Sequence, residues 1–211
     1  MFRKLFFLVI FFMFIAGCSN TTGGEVTTLS DEEIVASFME SGECVYDFDD
    51  DGEDEKVKII EPEPGYNTEI ELYDANGTLL FIKDDWTRNF EGIVRYSDSE
   101  RDYVFMRFET GAQGGMGSYD FIMVFNDSLV PSSLGFEPLY DVDAEYMLDG
   151  IYYISTEEYE GEDVLHVRQY MSDDGHSDAV GDVVSNVYID PDTGMFIANE
   201  SWLEEETDYS Y

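Results

Sequence analysis

The chain has 211 residues, of which 48 are Asp or Glu and only 10 are Lys or Arg, for a formal net charge of −38. A charge of that size repels nucleic acid and anionic lipid surfaces, which excludes both as partners of the folded part. Hydrophobic residues make up 44%, with 15 Tyr and 16 Phe, so the chain is not a disordered acidic tail and has the material for a core.

Arg3 and Lys4 form a short basic start, and residues 5–15 follow as the unbroken apolar run LFFLVIFFMFI. That run is too short to span a bilayer as a helix, which takes about 20 residues. It has the character of the apolar region of a secretory signal peptide. Ile15-Ala16-Gly17-Cys18 then resembles the lipobox of bacterial lipoproteins, an aliphatic residue and two small ones before a Cys. The resemblance implies cleavage before Cys18 and a diacylglycerol on its thiol. Acyl chains would then anchor the protein, each buried CH₂ contributing about 0.8 kcal/mol. The implied location is the cell membrane or outer membrane, facing away from the cytoplasm. In a diderm cell, Ser19 resembles the pattern of lipoproteins forwarded to the outer membrane. A plain secretory signal with an incidental Cys is the alternative. Residues 1–17 are therefore read as the signal peptide and 18–29 as the lipidated Cys with a polar, Gly-containing tether. Residues 30–211 are read as one acidic β-rich domain. Cys44 is the only other Cys, so no internal disulfide is available, and it reads as a small buried hydrophobe.

Ser30-Asp31-Glu32-Glu33 is a capping box, with Ile34, Val35, Phe38 and Met39 on one helical face behind it. This predicts a short helix over about 31–40, ending near Gly42. Beyond it the pattern is β. Strands are predicted at 57–60, 68–73 and 78–82, the last two flanking the hairpin turn Asp74-Ala75-Asn76-Gly77. Further strands are predicted at 92–96, 103–108, 119–125, 150–154, 164–170, 184–189 and 195–198. Recurrent turn signals between them favour a mainly β fold, an antiparallel meander or sandwich with one short N-terminal helix. No long repeat is visible, and there is no run of βα units.

Asp47-Phe48-Asp49-Asp50-Asp51-Gly52 has the spacing D-x-D-x-D-G. Ca²⁺ takes six to eight oxygens at about 2.3–2.6 Å, and alternate Asp side chains in a tight loop can converge on one ion. Gly52 allows the sharp turn. Asp47, Asp49 and Asp51 are the candidate side-chain ligands, with Glu53 lending a main-chain carbonyl and Glu55 binding directly or through water. An EF-hand would place a Glu where Lys58 stands, and would flank the loop with helices rather than a strand. The loop instead resembles the short calcium loops of FG-GAP/VCBS-type β repeats, which run directly into a strand. Asp47, Asp49, Asp51, Gly52 and Glu55 are the matching positions. That resemblance spans about fifteen residues and implies a Ca²⁺ cofactor; it does not make the remainder a propeller, which needs several four-stranded blades. Zinc is disfavoured for want of His or Cys ligands at suitable spacing.

The Gly-rich segment 109–118 joins two predicted strands and holds no Lys, so it reads as a strand connection rather than a phosphate cradle. The acid clusters at 141–145 and 173–178 lack the alternating spacing and read as solvated loops. His166 is placed in a strand and His176 in a loop, with no G-x-S-x-G or H-E-x-x-H motif. The sequence is accordingly read as non-enzymatic. The expectation is a lipid-anchored protein with a calcium-stabilised β domain and a binding or structural role, its partner an envelope protein, a glycan or another extracellular ligand. Two alternatives stay open: an envelope enzyme, for example carbohydrate-active, with no recognisable motif, and a salt-adapted lipoprotein with no specific ion site.

Overall fold

The computed structural model describes residues 29–60, 68–84, 89–99, 101–109, 119–143, 146–159, 162–173 and 179–205. Cys18 and its tether up to residue 28, most of the Gly-rich segment, His176 and part of both weaker acid clusters lie outside the described residues.

Helix α1 covers Asp31–Ser41. Its capping box closes in both directions: the Ser30 amide donates to Glu33 Oε2 at 2.8 Å, and the Glu33 amide to Ser30 Oγ at 3.4 Å. Gly42 ends it in the left-handed region at φ 74°, its amide donating to the Phe38 carbonyl at 2.9 Å. Ile34 and Phe38 are buried, but Met39, expected on the same face, is 69% exposed. The reason is angular: five residues after Ile34, Met39 sits about 140° around the helix. No helix among the described residues is long and apolar enough to cross a membrane.

The remainder is mainly β. Strands β1 (Glu43–Tyr46), β2 (Glu55–Ile60), β3 (Glu69–Tyr73) and β4 (Leu79–Lys83) form sheet A in sequence order. Sheet B is β5 (Asn89–Ser97), β6 (Asp102–Glu109), β7 (Tyr119–Phe125) and β8 (Ser128–Pro131), and sheet C is β9 (Tyr146–Tyr159), β10 (Glu162–Asp173), β11 (Ala179–Ile189) and β12 (Phe196–Glu205). Every pairing is antiparallel. The antiparallel meander is thus present three times. The short strands β1 and β8 were not foreseen from the sequence. Nor was the length of β9, whose 155–158 stretch is polar and faces solvent for most of its length.

Sheet B is the middle layer, because its central strands bury both faces. Val104, Met106, Phe108, Ile122 and Val124 point into a first core shared with α1 and sheet A. Tyr103, Phe105, Phe121, Met123 and Phe125 point into a second core shared with sheet C. Such two-sided burial explains why FIMVF in β7 is continuously apolar instead of alternating. Cys44 is 3% exposed in the first core, and burial pushes its thiol up to about 11, against the Ser37 hydrogen bond that lowers it. The thiol is therefore a packing group, as expected from sequence.

Candidate metal centre

The loop between β1 and β2 is closed by the register pair Tyr46↔Glu55. Phe48 is its anchor: 1% exposed, it packs against Phe38 and Tyr46 at ring-centroid separations of 6.2 and 5.4 Å. Pulling Phe48 into the core takes its neighbours with it. Asp47 and Asp49 are therefore 8% and 6% exposed, in a chain where acids ordinarily face water. Asp50 and Gly52 turn the chain through positive φ, at 56° and 91°. A Cβ at Gly52 would meet nothing within 4 Å, so the backbone angle alone favours glycine there.

The three buried acids of this loop converge. Asp47, Asp49 and Glu55 each offer a carboxylate oxygen, and these oxygens lie within 4.8 Å of one another. Asp47 accepts from the amides of Asp51 and Gly52, both at 3.0 Å, and Glu55 Oε2 accepts from the Phe48 amide at 2.9 Å. These bonds orient the carboxylates without using all of their lone pairs. Asp49 Oδ1 is buried with no hydrogen-bond partner among the described residues. Asp51, a side-chain candidate from sequence, is exposed and stands outside this group of carboxylates; the Glu53 side chain is exposed as well, and its expected contribution is the main-chain carbonyl. Asp51 Oδ1 accepts from the Glu53 amide at 2.8 Å, a bond local to the turn.

Burial is the main force on the proton affinities. It pushes Asp49 up to about 6, aided by the Asp51 charge and opposed by Arg101. Glu55 rises to about 8, again chiefly by burial, against the Phe48 amide and with Asp49, Asp51 and Asp47 adding to the rise. Asp47 is also raised by burial, although its two amide donors resist. Three carboxylates gathered in a poorly solvated place either retain protons or share a cation. The donor set is all oxygen, which suits a hard divalent ion and not zinc.

Two groups beside the loop were invisible to sequence reasoning because they come from the β5–β6 turn and the first residue of β6. The Arg101 guanidinium donates to the main-chain carbonyl of Asp49, and the Asp102 amide donates to Asp50 Oδ2 at 3.1 Å. Asp127, in the β7–β8 turn, adds negative charge near Asp49. Elsewhere, His166 is buried on β10 with its ring edge-on to Trp202 at 5.9 Å, a packing arrangement away from the acid group.

A scan of protein-family models, a search of curated proteins and a search of solved structures each return no match to this chain.

Proposed function

We propose that the chain is a lipid-anchored extracytoplasmic protein whose β domain is stabilised by one Ca²⁺, with a binding or structural role in the cell envelope. The observation that carries the ion is the convergence of Asp47, Asp49 and Glu55 within 4.8 Å, with Asp49 Oδ1 buried and without a hydrogen-bond partner among the described residues. Ca²⁺ is preferred to Mg²⁺ because Mg²⁺ demands near-ideal octahedral geometry and keeps several waters, whereas Ca²⁺ accepts irregular sets of carboxylates and carbonyls. The anchor rests on the sequence alone: Arg3 and Lys4, the apolar run 5–15 and the small residues before Cys18. Its partner is another envelope component, a glycan or an extracellular ligand. The charge of −38 supports one rival, salt adaptation with no specific ion.

Thermal melting at fixed ionic strength separates the two. Ca²⁺ at a hundred times its Kd stabilises by about 2.7 kcal/mol, a rise of about 5–10 °C for a chain of this size. An NaCl control of equal ionic strength gives no such rise. A melting temperature indifferent to Ca²⁺, or an equal response after Asp49→Asn combined with Asp51→Asn, refutes the ion site. For the anchor, Cys18→Ser should abolish incorporation of a labelled fatty acid and release the protein from the membrane fraction.

A further inference from the structure

The guanidinium of Arg101 is a cation placed close enough to the buried Asp49 carboxylate to lower its proton affinity, and its choice of partner is informative. A guanidinium normally takes a carboxylate through paired hydrogen bonds. Here Arg101 donates to the Asp49 carbonyl, while Asp49 Oδ1 keeps no hydrogen-bond partner among the described residues. A side chain standing in for the ion would satisfy that oxygen. Arg101 leaves it open and holds the backbone behind it.

Its other contacts are equally fixed. The guanidinium lies over the rings of Tyr103 and Phe125, at 5.6 and 5.3 Å from their centroids, and both rings belong to the second core. Asp98 ties the same turn together. It accepts the Arg101 amide at 3.0 Å and the Tyr103 hydroxyl at 3.0 Å, and its own amide donates to the Arg101 carbonyl at 3.1 Å. Successive residues of the acidic loop, Asp49 and Asp50, thus clasp successive residues where the β5–β6 turn enters β6, Arg101 and Asp102.

We propose that Arg101 is a positioning residue of the cation site, and that through it the bound ion locks sheet A onto sheet B. This rests on the Ca²⁺ reading above. Outer groups of this kind orient the atoms that touch a metal and are often nearly as important as the ligands. An ion at Asp49 would stiffen both the carbonyl that Arg101 grips and the carboxylate that receives the Asp102 amide. Order would pass from the loop into the β5–β6 turn and on to Tyr103 and Phe125.

The test combines calorimetric titration with CaCl₂ and amide hydrogen exchange, on the full chain in detergent. In the wild type, Ca²⁺ should slow exchange in peptides covering 47–55 and also 98–106. Arg101→Lys keeps the charge but loses the planar fork; it and Arg101→Met should bind Ca²⁺ about tenfold more weakly or worse. At saturating Ca²⁺ these variants should protect 47–55 but not 98–106. Wild-type protection confined to 47–55, or an affinity that is unchanged or tighter in Arg101→Met, overturns the proposal. Absence of any binding heat in the wild type instead sinks the calcium reading on which it rests. Should the Arg101 variants fail to fold, Asp50→Gly serves in their place. It suits the positive φ, removes the acceptor of the Asp102 amide and leaves Asp47, Asp49 and Glu55 intact. Because it leaves the Arg101 bond to the Asp49 carbonyl in place, it should keep the protection at 98–106 at saturating Ca²⁺; loss of that protection assigns the coupling to the Asp50–Asp102 bond and overturns the proposal.

Discussion

The acidic loop at 47–55 and the turn at 190–194 look alike as sequence, Asp-rich and glycine-bearing, yet they behave as opposites. In the turn, Asp190 Oδ1 accepts from the amides of Asp192 and Thr193 at 2.8 and 2.9 Å, and those bonds hold its carboxyl below the usual carboxylate range. Residues 191–193 are exposed. Only Gly194 presses on the middle sheet, where a Cβ would come within 2.6 Å of the Met123 methyl. In the loop the part pressed inward carries the acids themselves. Asp49 is buried with one oxygen unsatisfied among the described residues, and its carboxyl and that of Glu55 rise to about 6 and about 8. Acid content does not make a candidate ion site; acids dragged into a core by a neighbour do.

The largest expected effect tests that drag. Phe48→Ala should cost about 3–5 kcal/mol of stability, the range for truncating a buried Phe. It should also weaken the response to Ca²⁺, measured by denaturant unfolding with and without the ion. A retained calcium response at that cost would mean the acids converge without their anchor.

Next in size is a contrast of sign. In calcium-free buffer at pH 8, Asp49→Asn should be at least as stable as the wild type, because it removes a buried charge and keeps the shape. Asp190→Ala should instead be slightly destabilised, since it deletes the acceptor of two turn amides. Added Ca²⁺ should stabilise Asp190→Ala as it does the wild type and should leave Asp49→Asn unchanged. Equal behaviour of the two variants would erase the distinction.

The pH dependence sharpens it further. Asp49 and Glu55 hold protons more tightly when folded, at about 6 and about 8, than at their ordinary values of 3.8 and 4.5. Without an ion their contribution to stability is therefore fully present below about pH 4 and falls as pH rises towards 8. Asp190 and Asp74, with lowered values, act the other way and lose their contribution as pH falls through the acid range. Melting curves between pH 5 and 8 should slope downward without Ca²⁺ and flatten with it. A flat calcium-free profile would show that the buried carboxylates are better solvated than the geometry indicates.

The smallest effect expected is at Gly52. Ala there meets no neighbour, so only the φ of 91° is penalised, at about 1–2 kcal/mol.

Local patterns in the sequence determined much of this protein. The capping box and Gly42 delimit the helix, Asp74-Ala75-Asn76-Gly77 sets a hairpin, and the apolar runs at 57–60, 103–108 and 119–125 mark strands observed at 55–60, 102–109 and 119–125. The D-x-D-x-D-G spacing located the loop, because a turn that gathers alternate side chains is encoded within a few residues. Which acids meet was settled elsewhere. Asp47, Asp49 and Glu55 converge while the Asp51 side chain faces water, since Phe48 enters a core assembled from α1 and two sheets. Arg101 reaches Asp49 across fifty-two positions of chain, a contact that no local pattern records. The threefold recurrence of the four-stranded meander also left no trace in residue identity. Strand pairing is made by backbone groups that every residue carries, whereas burial depends on which layer a face meets, and that is decided only when the three sheets stack.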